Sequence, residues 1–272
     1  ISCRVHEGEG LEFHLLKNEQ DTRICFRAVP NGHEFSSLLL AVLNADGKGK
    51  NLPDEATQRR IKGLQGPVSI TTYMSLSCTN CPDVVQALNV ITWLNPNVSH
   101  LIVDGALFKE EVERLNIQAV PSVWVNGESF HIGRSSLGEL LEKLESKVGT
   151  APSSDAPAEA HRFDVLVAGG GPAGASAAIY SARKGLKVGL VAGRIGGQVN
   201  ETVGIENLIS VPYTTGQTLA ADLHTHLSHH KNITIFDNRR IESFALQGAE
   251  NQLTVKGGET FLAPALIIAT GA

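Results

Sequence analysis

The chain has 272 residues, of which 42% are hydrophobic and 19% are charged, and its net charge at pH 7 is −5. This length accommodates two domains or slightly more, and the composition is that of an ordinary globular protein. The sequence lacks the basic excess typical of nucleic-acid or anionic-membrane binding, and no apolar run reaches the ~18 residues of a transmembrane helix. Four cysteines do not suggest a disulfide-stapled secreted scaffold, so we expect a cytoplasmic protein.

The first 63 residues are predicted to be the later part of a domain whose beginning precedes residue 1. Residue 1 is Ile instead of Met, and residues 265–272 read as a strand that runs into a turn. We therefore expect a chain that continues at both ends. The elements predicted in residues 1–63 are strands at 12–16 and 23–28 and helices at 34–43 and 54–61.

Two cysteines separated by two residues, Cys78 and Cys81, follow a predicted strand at 68–74 and precede an apolar-periodic helix. A strand, a Cys-x-x-Cys and a helix in this order are typical of a thioredoxin-like redox centre. The N-terminus of the helix carries partial positive charge and unpaired N–H groups, which stabilise a thiolate. Cys78, at the mouth of the helix, is the predicted attacking thiolate, and Cys81, one turn further in, would resolve the mixed disulfide.

Two other interpretations of this pair stay open. A structural disulfide has the same spacing but requires an oxidising compartment. A zinc site usually takes four ligands from two such pairs, and Cys3 and Cys25 do not form a second Cys-x-x-Cys. We favour the redox-active pair, interpret Cys3 and Cys25 as incidental, and predict no metal site.

The remaining elements of residues 64–148 complete a thioredoxin-like order. Thioredoxin-like folds place a cis-proline against the disulfide, and this resemblance assigns that place to Pro121, which opens a predicted strand at 122–125. We therefore predict a partial first fold at 1–63 and a complete redox-active fold at 64–148. The other predicted elements are a strand at 100–104, a helix at 109–115, a strand at 129–133 and a helix at 137–144.

Residues 149–161 lack large apolar side chains, and this composition predicts a flexible inter-domain linker. At full extension about 13 residues reach at most ~45 Å. That length would let a carrier domain swing between two docking sites. A passive tether explains the same composition equally well.

After the linker, a predicted buried strand at 163–168 leads through a glycine-rich turn into a small-residue helix at 175–184. Gly169, Gly171 and Gly174 thus have the strand-to-helix context that a dinucleotide-binding G-x-G-x-x-G requires. The first glycine permits the tight turn, the second lets a pyrophosphate approach the backbone, and the third lets helix and strand pack closely. The helix N-terminus would then face the phosphate charge.

One position departs from this pattern. A second strand is predicted at 187–191, and an acidic residue that binds a ribose hydroxyl is expected at its end. Gly193 and Arg194 stand there instead. An arginine at this place would suit a 2′-phosphate and hence NADP, but Pro172 and the residues after it fit a flavin site better.

Three groups of residues resemble the family of alkyl hydroperoxide reductase F subunits and low-molecular-weight thioredoxin reductases. The first group is Cys-Thr-Asn-Cys-Pro-Asp-Val-Val-Gln-Ala-Leu-Asn at 78–89, with Gly-His-Glu-Phe at 32–35 upstream. The second and third are the glycine-rich segment 169–183 and the short matches at 196–198, 206–207 and 269–272. The resemblance implies an α/β chain with two fused thioredoxin-like folds, only the second redox-active, followed by an incomplete Rossmann-like FAD-binding domain at 162–272.

The resemblance also assigns roles to single residues. Gln198 and Asn207 would lie near the flavin, and Thr270 and Gly271 near the adenosine side. Glu34 would be a carboxylate beside the dithiol that accepts a proton. A turn residue at Asn207, an exposed Gln198 and a solvated Glu34 are the alternatives. The residues that would face the FAD pyrophosphate are Gly169, Gly170, Gly171, Pro172, Ala173 and Gly174.

Finally, the resemblance implies an electron path and partners. Electrons would pass from NADH to FAD, to a Cys-x-x-Cys in a pyridine-nucleotide domain beyond Ala272, then to Cys78 and Cys81, and last to a peroxiredoxin for peroxide detoxification. A homodimer through the flavin domain is expected. One alternative is a thioredoxin reductase fused to its own carrier, with broad disulfide substrates. The other, for these residues alone, is a non-enzymatic redox carrier.

Overall fold

The computed structural model describes residues 10–151 and 160–271, which form two compact units that divide between residues 152 and 153. The first unit contains the cysteine pair, and the second contains the glycine-rich loop. Most of the predicted linker, 152–159, lies outside the described residues, and so does Cys3.

The first unit is built on one six-stranded sheet. Its elements are β1 (Phe13–Lys17), β2 (Gln20–Arg27), a 3-10 turn (Gly32–Glu34), α1 (Phe35–Ala45), α2 (Glu55–Gly63), β3 (Val68–Met74), α3 (Cys81–Leu94), β4 (Val98–Asp104), α4 (Lys109–Arg114), β5 (Ser122–Val125), β6 (Glu128–Ile132) and α5 (Leu137–Val148). The strand order is β1-β2-β4-β3-β5-β6. The central strands β2, β4 and β3 are parallel, whereas β1, β5 and β6 run antiparallel to their neighbours.

Helix α3 is the centre of this unit's core. Its side chains Val84, Leu88 and Ile91 are fully buried and pack with Ile70 of β3 and Leu141 of α5. A helix that is apolar on most sides is stable only when it is enclosed. The core therefore fixes the helix that begins at Cys81.

The strands predicted to form a separate first fold join the same sheet as the rest of the unit. β2 pairs in parallel with β4, with Phe26 opposite Ile102. These two side chains share one buried cluster with Cys81 and Val85 of α3. The boundary that the sequence predicts at residue 63 therefore does not separate two sheets.

The described ends of the predicted linker are hydrogen-bonded within the two units. The amide of Gln65 donates to the carbonyl of Gly149 at 3.1 Å, and the amide of Ala151 donates to the carbonyl of Gly63 at 2.8 Å. At the other end, His161 begins a short strand. At these ends of the predicted linker, backbone pairing orders the chain, whereas the small side chains do not.

The second unit contains two four-stranded sheets. Its elements are β7 (His161–Arg162), β8 (Val165–Ala168), α6 (Pro172–Arg183), β9 (Val188–Val191), a 3-10 helix (Gly197–Glu201), α7 (Gly216–Ser228), β10 (Ile233–Phe236), β11 (Ile241–Gln247), β12 (Glu250–Val255), β13 (Thr260–Ala263) and β14 (Ala265–Ile268). One sheet, entirely parallel, has the order β10-β9-β8-β14. The other has the order β11-β12-β13-β7.

The parallel sheet is buried on both faces. Along β8, Val165 and Val167 pack with α6, while Leu166 and Ala168 pack with the second sheet. Successive side chains of a strand point to opposite faces, so an unbroken apolar strand is what a covered parallel sheet requires. Across residues 10–151 and 160–271, no helix is long and apolar enough to cross a bilayer.

Candidate functional site

The cysteine pair forms a disulfide at the start of α3. The Cα atoms of Cys78 and Cys81 are 5.5 Å apart, within the range of ordinary disulfides. Cys81 is the first residue of α3 and is fully buried, whereas Cys78 lies in the preceding turn and is partly exposed. An external thiol or disulfide would therefore meet Cys78 first.

A proline-containing loop lies against Cys78. The Val120–Pro121 peptide bond is cis, as the resemblance implies, and Pro121 is buried at the start of β5. The sulfur of Cys78 is 3.8 Å from the carbonyl oxygen of Val120. This contact places backbone of the loop beside the sulfur that the sequence predicts to be the nucleophile.

The N-terminus of α3 keeps its partial positive charge available. Asn80, the residue that precedes the helix, makes no side-chain capping hydrogen bond within the described part of the chain. Asp83, in the first turn, forms an ion pair with Arg134 at 2.9 Å. Because Arg134 offsets the carboxylate charge, the helix N-terminus retains its capacity to stabilise a thiolate at Cys78.

Glu34 is a buried carboxylate in the same unit. It is fully buried, and neither carboxylate oxygen accepts a hydrogen bond of ordinary geometry from the described residues. Burial raises the pKa of Glu34 to about 7; the nearby Ser37 hydroxyl opposes this shift and the charge of Asp83 adds to it. A carboxyl group with such a pKa can both take up and release a proton near neutral pH.

The backbone around Glu34 is tied to the turn that leads to Cys78. Gly32 has a φ of +54°, and a Cβ there would lie 2.7 Å from the carbonyl oxygen of Leu76. The amide of His33 donates to that same oxygen at 3.2 Å. Only a glycine permits this approach. The glycine two residues before Glu34 is therefore a sequence signal for this contact, although the sequence does not identify its partner.

Two glycines of the second unit are required by close packing. Gly169 has a φ of +116°, and a Cβ there would lie 2.2 Å from the carbonyl oxygen of Ala269 after β14. A Cβ on Gly174 would lie 1.9 Å from the carbonyl oxygen of Gly169. The strand ends and α6 can approach each other only because these side chains are absent.

Gly171 has a different environment. A Cβ at this position would meet no atom of the described residues within 4 Å. Gly171 is the residue that precedes α6, no side chain caps the helix there, and Pro172 occupies the first turn. Open space before an uncapped helix N-terminus fits a phosphate group, which such N–H groups and the helix dipole attract. The loop therefore fits the pyrophosphate of a dinucleotide such as FAD.

The turn before Gln198 borders this loop. The amide of Gly196 donates to the carbonyl of Gly170 at 2.8 Å. A Cβ on Gly197 would lie 3.2 Å from the Cα atom of Gly171. Gln198 itself is exposed, in the 3-10 helix that follows. This turn thus brings Gln198 to the edge of the glycine loop.

The other predicted flavin residues have fewer described contacts with the glycine loop. Thr270 and Gly271 are exposed and lie just beyond β14, after Ala269, and the amide nitrogen of Thr270 would be 3.0 Å from a Cβ on Gly169. Asn207 is exposed. It lies between Ile205, which forms a β-bridge with Thr214, and Leu208, which forms one with Val211. Among the described contacts, none joins Asn207 to the glycine loop.

Asn200 is a positioning residue that the sequence pattern did not single out. Its side-chain amide donates to the carbonyls of Ile195 at 2.9 Å and Gly197 at 3.0 Å. Arg194, the residue that suggested a 2′-phosphate, donates to the carboxylate of Glu201 at 2.6 Å. Both contacts hold the turn beside the loop.

Comparisons with known proteins match both units. Residues 163–272 match the family model of pyridine nucleotide-disulphide oxidoreductases, and residues 68–146 match that of the thioredoxin domain. The F subunit of the alkyl hydroperoxide reductase of Pseudomonas putida is 45% identical over 262 residues, which are 96% of this chain and 50% of that protein. A Bacillus subtilis protein named NADH dehydrogenase is 46% identical over 260 residues, which are 96% of this chain and 50% of that protein.

A solved structure is also similar. The NTD_N/C domain of the alkylhydroperoxide reductase AhpF from Enterococcus faecalis is 35% identical, with a TM-score of 0.43, over 46% of this chain and 60% of that chain. The chain spans about half the length of the curated relatives that it matches.

One α/β chain thus contains a thioredoxin domain with a Cys-x-x-Cys disulfide and a unit with a glycine-rich loop that matches the pyridine nucleotide-disulphide oxidoreductase model. The chain is similar to the alkyl hydroperoxide reductase F subunits over nearly its whole length, which confirms the resemblance predicted from the sequence. The family model that residues 163–272 match implies flavin and nicotinamide cofactors.

Proposed function

We propose that this chain acts within a flavin-dependent disulfide reductase that passes electrons from NADH through FAD and dithiols to a peroxiredoxin, for peroxide detoxification. The observation that carries the proposal is the disulfide between a partly exposed Cys78 and a fully buried Cys81 at the N-terminus of α3. Such an arrangement suits an attacking and a resolving thiol.

The dithiol would work in two balanced steps. The Cys78 thiolate attacks one sulfur of the partner's disulfide, forms a mixed disulfide and releases the partner's other sulfur as a thiolate. The Cys81 thiolate then attacks the Cys78 sulfur, which re-forms the Cys78–Cys81 disulfide and releases the second partner thiolate. Two electrons pass to the partner in total. Glu34, with its pKa raised to about 7, would accept the proton that Cys81 loses.

The second unit would hold FAD, which supplies two-electron transfer between the nicotinamide and a dithiol when it is bound. Gly169, Gly171 and Gly174, with the intervening Gly170, Pro172 and Ala173, would bind its pyrophosphate. Thr270 and Gly271 would lie on the adenosine side, and Gln198 and Asn207 near the flavin. The open space at Gly171 supports this assignment.

The remaining parts of the proposal are the partner, the assembly and the location. The partner would be a peroxiredoxin of the kind that the name alkyl hydroperoxide reductase implies. The proposal also includes a homodimer through the flavin domain and a cytoplasmic location. A reducing compartment would allow the dithiol to be regenerated repeatedly.

A trapping experiment tests the dithiol role. In the whole chain with Cys81→Ser, Cys78 can attack a peroxiredoxin disulfide but nothing resolves the product, so a mixed disulfide should accumulate on non-reducing gels. The matched control, Cys78→Ser, leaves only the buried Cys81 and should trap at least ~10-fold less. Equal trapping by both variants, or none by Cys81→Ser, would contradict the assignment.

Three further measurements separate the alternatives. In the full-length protein, Cys78→Ser should abolish peroxiredoxin reduction while NADH oxidation by an artificial acceptor continues; joint loss would argue against a carrier role. Equal reduction rates for unrelated protein disulfides would favour a thioredoxin reductase fused to its own carrier. Absence of bound FAD from the purified chain's visible spectrum would favour a carrier module alone.

A further inference from the structure

Three side chains of metal-binding type meet on the outer hairpin of the first unit, at Glu12, His14 and Cys25. One ligand atom from each lies within 4.8 Å of the other two. The Cys25 sulfur is 3.3 Å from a Glu12 carboxylate oxygen and 3.8 Å from His14 Nε2. His14 Nε2 is 2.6 Å from the same Glu12 oxygen. The redox pair plays no part in this cluster.

The pairing of β1 with β2 creates this cluster. His14 and Cys25 are direct partners in the antiparallel ladder, and paired residues present their side chains on the same face. Glu12 is two residues before His14, so it extends along that same face. No spacing within the sequence reveals this arrangement, because it depends on the strand register.

The cluster is closed on one side and open on the other. Cys25 is buried, with 8% exposure, whereas the side chains of His14 and Glu12 are 50% and 45% exposed. A cation could therefore enter from solvent and keep one position for water. Three protein ligands and one water molecule are a common coordination of zinc.

We propose that Glu12, His14 and Cys25 form a zinc site, with water as the fourth ligand. Zinc bonds of about 2.3 Å to sulfur and 2.0–2.1 Å to nitrogen or oxygen give tetrahedral ligand separations of roughly 3.3–3.6 Å. The two distances from the Cys25 sulfur, 3.3 and 3.8 Å, are close to these values. The separation of 2.6 Å between His14 and Glu12 is a hydrogen bond, which must open by about 0.7 Å.

The choice of zinc follows from the ligands. A thiolate, an imidazole and a carboxylate together suit zinc better than magnesium or calcium, which prefer sets of oxygen ligands. On binding, the Cys25 thiol loses one proton to solvent and its sulfur bonds to the metal, with no change in oxidation state. The metal would link the edge strand β1 to β2.

Cobalt spectroscopy of the whole chain tests this site. Cys78→Ser and Cys81→Ser are combined first, because a reduced dithiol would also bind metal. Titration with Co²⁺ should give one equivalent of bound metal with thiolate-to-cobalt charge-transfer absorption, and Zn²⁺ should displace it. In this background His14→Ala should weaken zinc binding by ~10-fold or more, and Cys25→Ser should abolish the charge-transfer band. His33→Ala, which removes another exposed histidine of this unit, is the matched control and should change neither.

Two outcomes would overturn the proposal. One is cobalt binding with an unchanged charge-transfer band in Cys25→Ser and loss of the band in Cys3→Ser, which would locate the thiolate ligand elsewhere. The other is no saturable binding by the parent chain. Because Cys25→Ser changes a buried residue, its circular dichroism is compared with that of the parent. Glu12→Gln and His14→Ala, at half-exposed positions, test the site without changing the core.

Discussion

At the scale of single residues, Glu34 combines burial with a capacity to ionise. It is fully buried, and its carboxylate oxygens accept no ordinary hydrogen bond from the described residues. Placing a charge there is costly, and this cost is what raises the pKa to about 7. The proposed proton acceptor is therefore expected to reduce the stability of the fold at alkaline pH.

Glu34→Gln should remove that cost. Its folded-state pKa of about 7 is higher than the ordinary value of 4.5, so the unfolded chain releases its proton first as the pH rises. The stabilisation from protonated Glu34 is complete below pH 4.5 and is lost as the pH rises to about 7. At pH 8 the Gln variant should be more stable than the parent by roughly 1–3 kcal/mol in urea unfolding, and at pH 4 the two should agree.

The same variant should lose function while it gains stability. Without a proton acceptor, thiol exchange by the reduced dithiol should slow by ~10²-fold near neutral pH, measured in stopped flow with a disulfide probe. Glu110→Gln, at an exposed position, is the control and should change neither property. A stability gain that is equal at pH 4 and pH 8 would show that the charge of Glu34 is not its cause.

The sequence predicts the roles of some of these residues but not of others. Cys78 and Cys81 were predicted from their spacing and context alone, because they are close to each other in the chain. Only the family resemblance predicts a role for Glu34, since its burial depends on tertiary packing that the local sequence does not reveal. Cys25 was interpreted as incidental, because its partners become visible only when the register of β1 and β2 is known.

At the scale of elements, two strands of the first unit were predicted to the residue. The predicted ranges 68–74 and 122–125 agree with β3 and β5, because both are short apolar runs bounded by turn residues. Helix α6 starts at Pro172, three residues before its predicted start. Proline at the first helical position is favourable, and the apolar pattern alone did not include it.

Two glycine variants should separate folding from nucleotide binding. Gly171→Ala places a methyl group in open space at a residue with φ −69°, so unfolding free energy should change by less than ~1 kcal/mol. That methyl group would occupy the space proposed for a pyrophosphate, and FAD affinity should fall ~10-fold or more. Flavin fluorescence titration measures the affinity.

Gly174→Ala is the comparison. Its Cβ would lie 1.9 Å from the carbonyl oxygen of Gly169, so α6 must shift away from β8. Stability should fall by ~1–3 kcal/mol or more, with FAD binding reduced as a consequence of misfolding. Unaltered FAD affinity in Gly171→Ala would place the phosphate elsewhere.

At the scale of the whole molecule, each unit has its own buried clusters. In the first unit, Leu88 lies in a core formed by α3, β3 and α5. In the second, Leu190 of β9 packs with α6 and the parallel sheet. The composition shift after residue 148 is a local feature of the sequence, whereas the joining of β1 and β2 to the sheet of β3–β6 depends on long-range strand pairing that local patterns do not encode.

Truncating a core side chain in one unit of the whole chain should therefore affect thiol exchange and FAD binding separately. Leu88→Ala and Leu190→Ala each remove a fully buried side chain, at a cost of ~2–5 kcal/mol to the unit that contains it. On heating, Leu88→Ala should lose thiol exchange at a lower temperature than the parent while FAD affinity persists, and Leu190→Ala should show the reverse. Thiol-probe kinetics and flavin fluorescence, recorded on the same samples, provide the two readouts. If either variant lowered both midpoints equally, the two units would unfold as one cooperative structure, contrary to the division of their cores.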